Sequence, residues 1–138
     1  MVIGYTTGVF DLFHVGHLNI LRNAKSMCDH LIVGVSTDEL VAYKFKKAVV
    51  PFEERMEIVR GIKFVDTVVP QENMDKLAAC KKMKVSKLFV GDDWFQSPKW
   101  EKIEQELLLI GCEVVYFPYT KTTSSTLITE TLLQLRKA

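Results

Sequence analysis

Short apolar runs rich in β-branched residues alternate along the chain with stretches in which apolar residues recur every three or four positions. The runs have the length and composition of buried strands, and the spacing within the stretches is that of amphipathic helices. The predicted strands are residues 2–7, 31–35, 67–69, 87–90 and 113–117. The predicted helices are residues 17–27, 38–43, 51–61, 75–83, 100–110 and 123–137.

This alternation predicts consecutive βαβ units, whose right-handed crossovers produce a mostly parallel sheet covered by helices on both faces. We therefore predict an α/β fold, a single doubly wound (Rossmann-like) domain over residues 1–138 with a five-stranded sheet. Such sheets bind ligands at the carboxyl ends of their strands, near the point where the strand order reverses. Functional residues are expected directly after the predicted strands.

Composition narrows the class of protein. With 48% hydrophobic and 25% charged residues the chain can fill a core, which argues against disorder. The formal net charge of +1 offers no broad basic field for nucleic acid. No apolar run approaches the roughly 20 residues of a membrane span, and no signal peptide is recognisable, so we expect a cytoplasmic protein with no membrane contact. The three cysteines fit buried thiols in a reducing compartment better than a disulfide framework.

The first chemically informative segment follows the first predicted strand and leads directly into a helix. Its glycines, Gly8 and Gly16, allow close backbone approach, and His14 and His17 lie on one side of the first helical turn. A helix N-terminus attracts phosphate through its free amides and its dipole, and imidazole donors would add hydrogen bonds. A phosphate site is favoured over two alternatives that stay open, incidental capping histidines and a metal pair that would need a third ligand.

Three further segments follow later strands or precede the last helix. They are Lys44-Phe-Lys-Lys47, Gly91-Asp-Asp-Trp94 and the hydroxyl-rich residues 120–126. Taken singly, the lysine segment is usually a solvated loop, and the other two have a strand-terminating turn and a helix cap as alternatives. Because all of them are expected at the same edge of one sheet, together they predict a site for a phosphorylated ligand.

Here a family resemblance becomes specific. The segment from Gly8 to His17 resembles the HxGH motif of the nucleotidyltransferase superfamily in its cytidylyltransferase form. The chain resembles the small bacterial glycerol-3-phosphate cytidylyltransferases almost from end to end. The segments that carry the resemblance are Ser36-Thr-Asp38, Lys44-x-Lys-Lys47, Glu54-Arg55, Phe64-Val-Asp66, Gly91-Asp-Asp-Trp94 and Thr120…Ser124-Ser-Thr126. HxGH alone indicates only the superfamily, whereas the lysine segment and the Gly-Asp-Asp-Trp segment are narrower.

The resemblance implies a reaction in which CTP and an alcohol phosphate, glycerol 3-phosphate first, give a CDP-alcohol and pyrophosphate. The acceptor's phosphate oxygen attacks the α-phosphorus directly and is already ionised, so the protein supplies alignment and charge neutralisation. Mg²⁺ is implied as a companion of the CTP phosphates, with no metal site on the protein itself. A homodimer is the family habit, with apolar residues around the first helix and the second strand as its candidate interface.

The resemblance also implies roles for individual residues. The implied catalytic residues are His14, His17 and Lys46. The implied nucleotide-binding residues are Gly8, Val9, Phe10, Gly16, Asp93, Trp94, Thr120, Ser124 and Ser125. The implied acceptor-binding residues are Asp11, Asp38, Lys44, Arg55, Lys63, Asp66 and Lys76.

The chain departs from the family pattern at several positions. Tyr119 and Lys63 stand where the family has arginine, Thr122 stands for glycine, and Val9 for threonine. Met74 replaces an expected aromatic residue. Lysine is a point charge where arginine offers a bidentate fork, so these departures concern the binding of phosphate and the choice of acceptor.

Alternative functions remain at this stage. Another polyol phosphate, phosphocholine or phosphoethanolamine could be the acceptor. The choline alternative stays open because aromatic side chains could form part of a cage for its quaternary ammonium. An adenylyltransferase of the same superfamily would keep the HxGH loop and use ATP. A non-catalytic nucleotide-binding module would keep the fold and lose the phosphate donors.

Overall fold

The computed structural model describes residues 1–43, 47–91, 97–118 and 125–137. The strands are β1 (Ile3–Gly8), β2 (His30–Ser36), β3 (Thr67–Gln71), β4 (Lys87–Gly91) and β5 (Glu113–Phe117). The helices are α1 (Val15–Ser26), α2 (Asp38–Tyr43), α3 (Phe52–Arg60), α4 (Lys76–Met83), α5 (Pro98–Leu109) and α6 (Ser125–Lys137).

The five strands form one parallel sheet in the order β3-β2-β1-β4-β5. The central strand is β1, where Tyr5 is paired with Ile32 of β2 on one side and with Leu88 of β4 on the other. The chain builds the sheet outward from β1 to β3 and then returns to place β4 beside β1. The predicted doubly wound α/β fold is therefore confirmed, and its switch point lies between β1 and β4.

Helices cover both faces of the sheet, and the strands contribute alternate residues to each face. On β2, Leu31, Val33 and Val35 pack towards α1 and α3, whereas Ile32 packs on the opposite side with residues of α4 and α5. This period of two is what a strand buried on both faces requires. Because β2 lies between two other strands and is buried along most of its length, it has no free edge with which a second copy could pair.

Most element boundaries differ from the predicted ones for identifiable reasons. Strand β3 continues through Pro70 to Gln71, which is possible because β3 is an edge strand and proline there removes no ladder bond. Helix α1 begins at Val15 because His14 is its N-cap. Helix α5 begins at Pro98, after Ser97 accepts the amide of Trp100 at 3.3 Å.

Two of the three cysteines, Cys80 and Cys112, are buried in the core on the α4 and α5 side, and Cys28 is half-buried. All three are free thiols. In the part of the chain that the structure describes, no helix has the length and apolar character needed to cross a membrane.

Candidate active site

A cavity of about 690 Å³ opens at the carboxyl ends of the strands. Its lining includes the last residues of four strands: Gly8 of β1, Gln71 of β3, Gly91 of β4 and Phe117 of β5. The cavity spans the switch point between β1 and β4, where the sheet topology predicts a ligand. Residues from the first turns of α6 close it on the side of β5.

The loop between β1 and α1 is tightly wound. Phe10 and Leu12 both have left-handed backbones, with φ of 54° and 50°, a conformation that side chains rarely adopt. A β-carbon at Gly8 would lie 3.0 Å from the Phe10 ring, so the glycine leaves room for that ring to fold back over the end of β1. The loop thereby buries Phe10 in the core, and its residues Gly8 to Asp11 line the cavity.

The two histidines of the motif are held by the backbone at the start of α1. Nδ1 of His14 accepts the amide of Gly16 at 3.0 Å, and Nδ1 of His17 accepts the amide of His14 at 3.2 Å. Together they form a capping box in which both side chains satisfy free amides of the first turn. Because each Nδ1 is an acceptor, each neutral ring must carry its proton on Nε2.

The surroundings of the two rings keep them neutral. The rings stack with their centroids 4.0 Å apart, and His17 also contacts the rings of Phe10 and Phe13. The pKa of His17 is lowered to about 4, mainly by burial and to a smaller extent by the neighbouring His14. Burial also lowers the pKa of His14 below its ordinary value. At neutral pH the pair therefore consists of uncharged Nε2–H donors, with His17 lining the cavity and His14 stacked on it.

This anchoring bears on the alternative of a metal pair. The Nδ1 lone pairs of both rings are engaged with backbone amides, which leaves protonated Nε2 atoms instead of metal ligands. Within the described ranges, no three or more His, Cys, Asp and Glu side chains are grouped in a way that could hold a metal ion.

Lysine side chains supply positive charge to the cavity. Lys76, at the start of α4, is buried, with only 8% of the residue exposed, and its Nζ donates to Thr7 Oγ1 at 2.5 Å. Lys47 and Lys99 also line the cavity, from the segment before α3 and from the first turn of α5. Such a group of ammonium ions suits a phosphorylated ligand. Sequence reasoning missed Lys99, although its position in the first turn of the helix that follows β4 could have indicated it.

The predicted acceptor-binding residues Asp11, Asp38 and Arg55 occupy different positions. Asp11 lines the cavity, and its carboxylate accepts the amides of Val49 and Val50 at 2.8 and 2.9 Å. Arg55 is fully buried behind the cavity wall and forms an ion pair with Asp38 at 2.7 Å. The hydrogen bond from Arg55 holds the pKa of the Asp38 carboxyl below its ordinary value.

Lys63 and Asp66 lie at the opposite end of the sheet, where the strands begin. The Asp66 carboxylate accepts the amide of Leu31 at 2.8 Å and the ammonium of Lys25 at 2.5 Å, beside the start of β2. These contacts, the hydrogen bond from Lys25 first, lower the pKa of Asp66. The Lys63 ammonium lies 5.2 Å from the centroid of the Phe64 ring. Within one chain, therefore, the expectation that these two residues reach the acceptor is not met.

Several predicted site residues lie outside the described residues. They are Lys44, Lys46, Asp93, Trp94, Thr120 and Ser124, together with the departures Tyr119 and Thr122. Of the second signature segment, the structure describes Ser125 and Thr126, which line the cavity. The Ser125 hydroxyl donates to the backbone oxygen of Asp11 at 2.6 Å, which ties the start of α6 to the loop after β1.

Apolar side chains predominate on the β4 and β5 side of the cavity, next to Lys99 at the start of α5. This side is lined by Trp100 and Ile103 of α5, Val90 of β4, Phe117 at the end of β5 and Pro118 directly after it. Sequence reasoning missed these residues because apolar side chains near strand ends are indistinguishable from core in a pattern of hydrophobicity. An apolar face beside a lysine-lined one suits a ligand with a ring at one end and phosphates at the other.

A nucleotide-binding α/β fold with an HxGH loop capping its first helix defines the class of nucleotidyltransferases. The cytidylyltransferase-like family matches residues 5–131, and the chain belongs to that family. The predicted resemblance is therefore confirmed, and the protein is an enzyme that transfers a nucleotidyl group.

Individual relatives agree with this assignment. The chain is 38% identical over 131 residues to glycerol-3-phosphate cytidylyltransferase of Bacillus spizizenii, covering 94% of this chain and 96% of the relative. It is 37% identical over 109 residues to an FAD synthase of Archaeoglobus fulgidus, covering 79% of each. The crystal structure of a lipopolysaccharide core biosynthesis protein from Thermoplasma volcanium shares the fold, with a TM-score of 0.73, 23% identity and coverage of 89% and 99%.

Proposed function

We propose that the protein transfers CMP from CTP to a small phosphorylated alcohol, glycerol 3-phosphate first, and releases pyrophosphate. The observation that carries the proposal is the pair of backbone-anchored, neutral histidines beside a cavity that Lys47, Lys76 and Lys99 line. The choice of CTP and glycerol 3-phosphate is supported by the relative from Bacillus spizizenii, which aligns over nearly its whole length.

In the proposed mechanism the acceptor's phosphate oxygen attacks the α-phosphorus of CTP, and pyrophosphate leaves in line. An ionised phosphate needs no general base, so catalysis consists of alignment and stabilisation of the charge that moves to the leaving group. The Nε2–H groups of His14 and His17 donate to the phosphate oxygens as that charge develops. Lys46 is assigned to the triphosphate and Lys44 to the acceptor phosphate by family resemblance.

The two substrates are assigned to different ends of the cavity. The nucleoside fits the side where apolar residues of α5 and β5 line the cavity, and the phosphates are assigned to the side lined by Gly8, Val9 and Phe10. The acceptor fits the side formed by the ends of β1 and β3, where the Lys76 ammonium is held by Thr7. A cation at that position suits an acceptor that carries a phosphate and no second cation of its own.

Mg²⁺ is proposed as part of the CTP substrate. Among the described residues, the carboxylates that line the cavity are Asp11, which already accepts two backbone amides, and Glu130, which is exposed on α6. Such a donor set fits a metal carried by phosphate oxygens better than one held in a protein cage. The metal would neutralise part of the triphosphate charge.

We also propose a homodimer and a cytoplasmic location. The support for the dimer is apolar surface on α6, where Leu132, Leu133 and Leu135 are exposed, together with Leu109 at the end of α5. The free thiols in the core support a reducing compartment. Light scattering at several protein concentrations would test the dimer, and a constant monomer mass would refute it.

The decisive experiment incubates the enzyme with each nucleoside triphosphate and each candidate acceptor and measures pyrophosphate release. Release with CTP and glycerol 3-phosphate is expected. Release only with ATP and a flavin acceptor would favour an FAD synthase, as in the Archaeoglobus relative, and no release would favour a binding module. A kcat/KM more than about tenfold higher for phosphocholine would overturn the polyol assignment.

Two variants of α4 test the acceptor side. Lys76→Gln removes the buried ammonium, whereas Lys81→Gln removes an exposed one from the same helix. The first should raise the KM for the acceptor by about tenfold or more, the cost of one charged hydrogen bond, and leave the KM for CTP within threefold. The second should change neither.

A further inference from the structure

Arg55 is the largest fully buried side chain of the described residues, and each nitrogen of its guanidinium is hydrogen-bonded. Nε donates to the backbone oxygen of Val50 at 2.9 Å. Nη1 donates to the backbone oxygens of Val9 and Ser36 at 2.8 and 2.7 Å. Nη2 donates to the Asp38 carboxylate at 2.7 Å. One cation thus joins the loop after β1, the end of β2 and the segment before α3.

Asp11 holds the same segment from the cavity side. Its two carboxylate oxygens accept the amides of Val49 and Val50 at 2.8 and 2.9 Å. Val50 is therefore held through its amide by Asp11 and through its carbonyl by Arg55. Ser125 donates to the backbone oxygen of Asp11, so the start of α6 is tied to the same point.

We propose that Arg55, Asp11 and Asp38 are positioning residues that clamp residues 47–51 to the histidine loop, and that none of the three binds the acceptor. The measurable consequence in turnover rests on the proposed function, whereas the clamp itself does not. The name "backbone clamp" is used below for these three side chains.

The surroundings of Arg55 leave no place for a substrate. Its side chain is 0% exposed, and its counter-ion Asp38 is 53% exposed, so the charge is balanced from the solvent side and not from the cavity. Asp38 also accepts the amide of Phe52 at 3.2 Å, at the start of α3. A phosphate that approached Arg55 would have to displace three backbone oxygens and a carboxylate.

The clamp lies between the histidine loop and the segment that carries the cavity-lining Lys47. On one side it holds Val9, which lies in the loop that positions His17. On the other it holds Val49 and Val50, two and three residues after the cavity-lining Lys47. Loosening the clamp would therefore displace both the histidine loop and Lys47 relative to the cavity, and a misplacement of about 1 Å can cost about 10²-fold in rate.

Two variants test the backbone clamp. Arg55→Lys keeps the charge but removes the fork that reaches four oxygens, and Asp11→Asn removes one of two acceptors while keeping the shape. Arg60→Met, an exposed cation on the same helix, is the control for loss of charge. The measurements are kcat, the KM for each substrate, and the exchange rates of the Val49 and Val50 amides.

Both variants should lower kcat by about tenfold to a hundredfold and should raise the two KM values by similar factors. The Val49 and Val50 amides should exchange at least about tenfold faster, while an amide of β2 such as that of Val33 keeps its rate. The control should match the wild type in every measurement.

A selective rise in the acceptor KM, with the KM for CTP, kcat and both amide rates unchanged, would overturn the proposal and make these residues acceptor ligands. Unchanged amide exchange in both variants would overturn it as well. If the wild type transfers no nucleotidyl group at all, the proposed function fails, but the exchange rates still decide whether the clamp exists.

Discussion

Two substitutions at His17 would separate the structural role of its ring from its catalytic one. Nδ1 of His17 accepts a backbone amide, while the proton on Nε2 is available to a phosphate. An asparagine side chain places its oxygen near the position of Nδ1, and a glutamine side chain places its amide nitrogen near that of Nε2. His17→Asn therefore keeps the cap and loses the donor, whereas His17→Gln keeps a donor and loses the cap.

The expected magnitudes follow from these two contacts. Loss of a side-chain cap costs about 0.5–2 kcal/mol, which for a chain of this size lowers Tm by roughly 2–10 °C. Loss of one preorganised donor to a transition state costs about 10²–10³ in kcat. Both variants lose the ring contacts with Phe10 and Phe13, so that loss cancels in the comparison. The Asn variant should be the more stable of the two and the less active.

The assay measures Tm by thermal unfolding and kcat by pyrophosphate release under saturating substrates. His30→Asn is the matched control, because His30 lies far from the cavity, where β2 begins, and its Nε2 pairs with the Thr67 hydroxyl at 2.8 Å. It should leave kcat unchanged. Near-normal turnover in His17→Asn would refute the donor role. Equal Tm and equal kcat in the Asn and Gln variants would refute the assignment of separate tasks to the two nitrogens.

Two further predictions concern stability. Because the folded-state pKa of His17 is about 4 and its ordinary value is 6.5, its contribution to stability is complete above pH 6.5 and is lost as pH falls towards 4. Urea unfolding should therefore give a free energy of unfolding that is lower at pH 5 than above pH 6.5, by less than about 2 kcal/mol, and this decrease should be smaller in His17→Asn. Gly34→Ala would place a β-carbon 2.6 Å from the Tyr5 hydroxyl and should cost about 1–3 kcal/mol in the same assay, whereas Gly61→Ala, with no contact below 3.4 Å, should cost almost nothing.

The fold was predictable because a doubly wound sheet leaves a strong pattern in the sequence. Strands such as β2 are buried on both faces and appear as unbroken apolar runs, and the amphipathic helices between them show which face they cover. The end of β3 was not predictable, because whether Pro70 can continue a strand depends on its being at the edge of the sheet.

The position of the site was predictable for the same topological reason, but its conformation was not. The rule that ligands bind at carboxyl ends of strands located the cavity before any side chain was placed. The left-handed backbones of Phe10 and Leu12 have no sequence signature, since residues of this size seldom adopt positive φ. The way the loop folds Phe10 back over Gly8 therefore became visible only in the structure.

The roles of the acidic residues show the limit of reasoning from charge. The family resemblance implied that Asp11 binds the acceptor. In the structure its two oxygens are directed to two backbone amides, whose dipoles offset the negative charge where the lysines need to act. Likewise the guanidinium of Arg55 donates its hydrogen bonds to three backbone oxygens and to Asp38. Because nearly every residue carries the same peptide N–H and C=O groups, the sequence shows that a charged side chain is present but not which peptide groups it binds.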